Sequence, residues 1–356
     1  TISGVENTFA YSGNVAPVVS FNDTNFDAGN SNVTLIGSSR GRVDFDGTVE
    51  STDNGVQYVF NNFPNEESVD DIYTLTASST DMAGNSKEET ISFSVNRFGS
   101  TYTFSDATNS INGSYINSPE NIVVYEVNVD ALSEISITVF KNNETILLTE
   151  GSDYSVQLEG GNGQWYRYTY TIFKNVFDDD GVYRIAVHSV DTAGNVADNT
   201  IDTKSKEISF GVDKTTPNII LANLEDGTTY PTDNLRVDMV IEDNLKMGNV
   251  KVYLDNSEIK SWNQDEIAQM ITKGEDYTFD ISGDSTEAHY VRVVAHDAAD
   301  NQSVSEVNNF FVTTNKWIQF VNNKALFYGS IAGATVVSAG GATGITFMIR
   351  RKKRII

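Results

Sequence analysis

Three stretches of the chain alternate apolar and polar residues and then stop at the same kind of turn: YTLTASSTDMAGN (Tyr73–Asn85), YRIAVHSVDTAGN (Tyr183–Asn195) and HYVRVVAHDAADN (His289–Asn301). Leu75, Ala77 and Ser79 share one side of the first stretch, as do Ile185, Val187 and Ser189 in the second and Val291, Val293 and Ala295 in the third. A period of two sends one face to a core and the other to water, so each stretch predicts a half-buried β-strand. The stop has a chemical cause. Asp and Asn side chains bond nearby backbone, and Gly84 and Gly194 accept positive φ. The third copy has Asp300 in place of the glycine, and Asp tolerates the left-handed region better than most residues.

The turn aspartates Asp81, Asp191 and Asp297 lie 110 and 106 residues apart. A period of about 100 residues filled with short strands is the size of an immunoglobulin-like sandwich. A second match keeps the register: ITVFKNNETI (Ile137–Ile146) aligns with VKVYLDNSEI (Val250–Ile259), each predicting a β-hairpin across an Asn/Asp turn. No counterpart is visible in the middle of the first repeat, Ser38–Thr48, which is rich in Arg, Asp and Gly. The expected division is a linker or remnant of a preceding repeat over 1–13, then modules at 14–96, 97–214 and 215–315. The short joints NRFGS and DKTTP favour a semi-rigid rod over a flexible string.

A strand ending in D-x-A-G-N, followed by ISFSVNR (Ile91–Arg97) or ISFGVDKTTP (Ile208–Pro217), resembles the bacterial immunoglobulin-like repeats of Gram-positive cell-surface proteins. The resemblance runs from about Ala16 to Thr314. It implies an all-β ectodomain of three tandem Ig-like β-sandwich modules that serves as stalk, adhesin or enzyme spacer, and it names no ligand.

After a juxtamembrane segment at 316–324, residues Ala325 to Ile349 are uncharged throughout. Twenty-five such residues at about 1.5 Å each can span a hydrocarbon core of about 30 Å, which predicts a single transmembrane helix. Arg350, Arg351, Lys352, Lys353 and Arg354 follow at once, and by the positive-inside rule this tail at 350–356 is cytoplasmic and the modules are outside. A buried glycine-rich core helix is the blander reading, and a five-residue cationic cap argues against it. Gly329 with Gly333, and Gly340 with Gly344, have the GxxxG spacing that lets two membrane helices approach, although a span so rich in Gly and Ala meets it easily by chance. The apolar span with its basic tail also resembles the end of sortase substrates. None of the five prolines lies in an LPxTG context, however, so a membrane anchor is expected in place of wall attachment. The chain begins at Thr1 with no leader, so an exported protein is expected to have been processed or to continue upstream.

The net charge is −25, and without the five C-terminal cations 19 Lys+Arg face 49 Asp+Glu, or −30. Such a surface repels nucleic acid. There are no cysteines, which removes disulfides, thiol catalysis and thiolate metal sites and fits a bacterial exported chain. Gly37–Gly41, GSSRG, has nucleophile-elbow spacing, but the alternating residues after it predict a strand where that motif needs a helix. Of the three histidines, His188 and His296 fall on predicted strands, and no catalytic constellation is visible, so no enzyme is expected.

Two candidate sites follow from the remaining residues. Asp178, Asp179 and Asp180, with Asp191 further on, could supply oxygens to a calcium ion near a module joint; the plainer reading is a solvated turn. In GGNGQWYRYTY (Gly160–Tyr170), Tyr166, Tyr168 and Tyr170 share one strand face opposite Trp165 and Arg167. If exposed, that face would be a stacking platform for a glycan; otherwise it is core. The reading is a non-enzymatic cell-surface adhesin or stalk whose partner is a host or cell-surface protein or a glycan, without a cofactor unless calcium binds. The alternatives are the membrane-proximal scaffold of a larger extracellular enzyme and a carbohydrate-binding surface protein.

Overall fold

The computed structural model describes residues 1–200 and 207–323. Within them the chain forms three successive two-sheet sandwiches, each closed over its own apolar core. In the first, one sheet runs in the order Ile2–Ser3, Val18–Asn22, Gly55–Phe60, Gly47–Thr52. The other runs Ala10–Tyr11, Ser86–Val95, Asp71–Thr80, Ser31–Gly37, Gly41–Val43. The opening segment changes sheets: Ile2–Ser3 pairs antiparallel with Val18–Asn22, and Ala10–Tyr11 pairs parallel with Ser86–Val95. The same switch recurs at Thr101–Phe104 and Tyr115–Ile116, and again at Asn218–Leu221 and Thr229–Tyr230. Two facing sheets in this order are an immunoglobulin-like β-sandwich.

Two expectations are corrected. Residues 1–13 are no linker: they supply edge strands to both sheets, and Ile2 and Val5 are buried in the first core. Edge strands of two residues carry no readable alternation, so the sequence hid them. The first sandwich also has the hairpin missing from its sequence, Ser31–Gly37 with Gly41–Val43, closed by Ser38–Arg40. GSSRG is therefore a β-turn region with strands on both sides. In the other two hairpins Asn142 takes φ 52°, and Asp255 and Asn256 take 48° and 67°, the left-handed values a tight turn needs.

The third sandwich replaces one strand by the helix Gln264–Lys273. Asn263 caps the N–H groups of Asp265 and Glu266, the Glu266 carboxylate returns to the Asn263 N–H, and Gly274 ends the helix at φ 69°. Its Ile267 and Met270 close the core that a strand covers elsewhere.

Near the start of the long central strand of each sandwich an aromatic ring packs on the last strand: Tyr73 stacks on Phe93 and Tyr183 on Phe210, while His289 sits tilted on Phe310, at 5.9, 5.8 and 5.6 Å between centroids. The Tyr73 hydroxyl donates to the Val69 carbonyl (2.6 Å) and that of Tyr183 to Asp179 (2.7 Å), pinning the loop before the strand as in a tyrosine corner. His289 instead faces Asp255, Nδ1 to Oδ2 at 2.8 Å.

After the third sandwich, Lys316–Asn322 forms a short helix capped by Asn315, and Trp317 is 68% exposed on it. Among the described residues no helix is long and apolar enough to cross a membrane. The expected span from Ala325 to Ile349, with its GxxxG glycines Gly329, Gly333, Gly340 and Gly344, and the basic residues 350–354 lie outside the described residues.

Candidate functional site at the module joints

The D-x-x-x-N turns are hydrogen-bonded alike. Asp81 Oδ1 accepts from the N–H groups of Ala83 and Asn85, and its Oδ2 accepts from the Asn85 amide, all at 2.8 Å. Asp191 holds Asn195 and Asp297 holds Asn301 in the same way. Asp300 sits at φ 68° where Gly84 and Gly194 sit at 88° and 86°, so the expected turn forms without glycine. In the second and third copies the asparagine amide reaches further, into the preceding sandwich. Asn195 Nδ2 donates to the Asn96 carbonyl and Asn301 Nδ2 to the Asp213 carbonyl, each at 2.8 Å. The turn is thus also the docking element between modules.

At the first joint a buried polar cluster fills the interface. The Asn96 amide donates to Asn128 Oδ1 (2.7 Å), Asp191 Oδ2 (2.9 Å) and Asp130 Oδ2 (3.1 Å). Ser94 donates to the other Asp130 oxygen at 2.5 Å, and the Asn128 amide donates to Ser100 and to Asp191. Burial raises the Asp130 carboxyl above its ordinary range, with the Ser94 and Asn96 donors opposing that rise. Beside the cluster the Trp165 indole donates to the fully buried Asp71 at 2.8 Å, and Ser12 donates to the Ala193 carbonyl. Gly99 takes φ 65°, and a Cβ there would lie 3.2 Å from that of Asn195. Gly99→Ala is expected to cost about 1–2 kcal/mol. In limited proteolysis of the full chain, cleavage at the NRFGS joint should then accelerate, while cleavage near DKTTP should not.

The second joint uses the same positions with different chemistry. Asp213 ends the second sandwich as Asn96 ends the first: its N–H donates to the Ile116 carbonyl as that of Asn96 donates to Tyr11, both at 2.9 Å. Ligand oxygens of Asp213, Asp243 and Asp297 lie within 4.8 Å of one another. Asp213 and Asp297 are buried, and Asp213 Oδ2 and Asp243 Oδ1 have no hydrogen-bond partner. Burial pushes the Asp213 carboxyl up to about 6, aided by Asp243 and Asp297, while the Thr215 N–H opposes. Around this centre the Asn117 amide donates to the Ala299 carbonyl, and Lys246 places its ammonium 5.5 Å from the Tyr115 ring centroid.

The residues proposed from sequence go elsewhere. Tyr168 and Tyr170 are buried, and Tyr166, Tyr168 and Tyr170 form a parallel ladder with centroids 6.5 and 6.4 Å apart, so the tyrosine face is core and offers no glycan platform. Register decides this: Tyr168 and Tyr170 pair with Glu126 and Val124, and Ile172 on the same face pairs with Ile122. Trp165, on the other face, is consumed by the first joint.

The four calcium candidates do not converge either. Asp191 ends the eleven-residue strand that Gly181, next to Asp180, begins. Asp179 pairs with Lys141 at 2.9 Å, and the Asp178 carbonyl accepts from Lys214 Nζ. Asp180 accepts from the Lys214 N–H, the Thr215 hydroxyl and the Asn244 amide, which hold its carboxyl below the usual range against the opposing effect of burial. It clamps the second joint as Asp70, binding the N–H groups of Arg97 and Phe98, clamps the first. Sequence reasoning missed Asn96, Asn128, Asp130, Asp213 and Asp243. The available signal was position: each sits where a strand meets a joint.

No family model matches the sequence and no curated protein matches it. Solved structures that match are chains of small sandwich modules. The tetra-tandem repeat in the extending region of a large adhesion protein is 15% identical over 83% of this chain and 69% of that chain, with a TM-score of 0.32. The fibronectin(III)-like modules of Clostridium thermocellum CbhA are 15% identical over 60% and 94%, with a TM-score of 0.27. The ICAM-5 D1–D4 ectodomain fragment is 7% identical over 88% and 76%, with a TM-score of 0.45. At these scores nothing about ligand or partner passes from them, and the assignment to tandem Ig-like β-sandwiches rests on the strand order above.

Proposed function

We propose that this chain is a non-enzymatic surface stalk or adhesin whose sandwiches are set in series to carry a binding region away from a membrane. One observation carries the reading: both joints are built, with each turn bonding the module before it and buried polar groups between them. Flexibly tethered domains have no use for such an interface, whereas a load-bearing spacer does. Membrane attachment through Ala325–Ile349, with the modules outside and the basic tail inside, is part of the proposal and follows from the sequence. Any recognition then belongs to loops or exposed faces, since the tyrosine ladder is core.

The test is protease shaving of intact producing cells, read with an antibody against the third module. The expected result is loss of signal from intact cells and recovery of the chain from washed membranes. Protection until the cells are lysed would reject the extracellular reading. The mass of the extracted protein reports in the same experiment whether further domains accompany these three.

A further inference from the structure

We propose that the joint between the second and third sandwiches binds a calcium ion through Asp213, Asp243 and Asp297. The first joint shows what the second lacks. Asp130 and Asp243 both stand seven residues before a fully buried strand residue, Ile137 and Val250, and Asp191 and Asp297 occupy the same turn. At the first joint three side chains from outside the turn itself donate to these carboxylates: Ser94, Asn96 and Asn128. The corresponding residues at the second joint are Gly211, Asp213 and Ile241. None of these three donors remains, and one has become a third carboxylate; the Asn301 amide still donates to Asp297, as Asn195 does to Asp191.

The consequence is visible atom by atom. Asp243 Oδ1 and the fully buried Asp213 Oδ2 have no partner, although the other oxygen of each accepts backbone N–H groups. No Lys or Arg makes an ion pair with any of the three among the described residues. Buried carboxylates in this arrangement need a positive charge at their centre or a proton. Oxygens within 4.8 Å of one another suit an ion that takes ligands at about 2.3–2.6 Å, and an all-oxygen set without His or Cys selects a hard cation. Water and backbone carbonyls of the joint would complete the six to eight oxygens that calcium takes. Because Asp213 belongs to one sandwich and Asp243 and Asp297 to the next, the ion would tie the two together.

The experiment is calorimetric titration of CaCl2 into the chelator-stripped full chain in detergent, paired with thermal unfolding in EDTA and in millimolar calcium. The wild type should bind calcium with a melting transition raised by the ion, and equimolar MgCl2 should not reproduce the shift. Asp213→Asn restores the carboxamide of the first joint. It should weaken calcium binding at least roughly tenfold, by loss of one charged ligand, and should melt alike with and without EDTA. Asp243→Asn should lose the same site. A wild type whose unfolding ignores calcium and EDTA would overturn the proposal even if a variant failed to fold, as would an Asp213→Asn protein that binds calcium like the wild type. Stabilisation on mild acidification with no response to calcium would show that a shared proton, not an ion, fills the centre. These readouts do not depend on where the chain resides, so they stand apart from the shaving test; the surface reading bears only on the supply of calcium.

Discussion

Replacing Tyr170 by Phe is expected to destabilise the second sandwich by about 2 kcal/mol, and Tyr170→Ala by about 4 kcal/mol. The difference separates two roles of one side chain. The ring is fully buried in the tyrosine ladder, and its removal leaves a cavity that neighbouring strands cannot fill. The hydroxyl donates at 2.6 Å to Glu126, a fully buried carboxylate whose other donors are the Ser189 hydroxyl at 2.5 Å and the Tyr102 hydroxyl at 3.3 Å. No cation faces Glu126 among the described ion pairs, and Ser189 and Tyr102 both serve its Oε1, so loss of the Tyr170 hydroxyl leaves the buried Oε2 without its donor. The same contact raises the Tyr170 hydroxyl far above its ordinary range, burial first and the Glu126 charge second. Because three cores unfold in one chain, the measurement should be local: hydrogen exchange of Gln164–Ile172, read by mass spectrometry. Tyr166→Ala, at the half-buried end of the ladder, should cost only about 1 kcal/mol. Equal effects at Tyr166 and Tyr170 would contradict the buried ladder.

The second large effect concerns Asp191. Asp191→Ala removes the acceptor of the Asn195 N–H and of three amides, those of Asn195, Asn96 and Asn128. Stranding buried donors on both sides of the first joint should cost about 3 kcal/mol and uncouple the first two sandwiches. Asp81→Ala removes the same turn contacts from a copy whose asparagine bonds no other described module, and only local loosening is expected in this chain. The two variants compare one motif with and without a described module docked on it. Hydrogen exchange around Asn96 and Asn128 should rise sharply for Asp191→Ala and stay unchanged for Asp81→Ala. If Asp191→Ala left that exchange unchanged, the turn would be only a turn.

Much of this protein was legible in the chain itself. Local chemistry wrote the three alternating strands, the turns that end them and the two Asn/Asp hairpins, because strand period and turn propensity are properties of neighbouring residues. The helix over Gln264–Lys273 is also written in local chemistry, in the caps Asn263, Glu266 and Gly274, and it departs from the expected all-β fold. The two-residue strands of 1–13 were not legible, since their identity lies in the strands they pair with.

The tyrosines show the limit most plainly. Alternation puts Tyr166, Tyr168 and Tyr170 on one face, but only the pairing with Val124 and Glu126 decides that the face looks inward. The acidic residues show it again. A run such as Asp178–Asp180 is conspicuous in sequence, yet it spends its charge on Lys141, Lys214 and the joint clamp. Asp213, Asp243 and Asp297 are scattered over 85 residues and meet only when one sandwich docks on the next. Sequence by itself determined which segments become strands and turns, because those depend on neighbours along the chain. Tertiary structure decided which carboxylates meet with oxygens left unpaired, because convergence in space has no signature in local order.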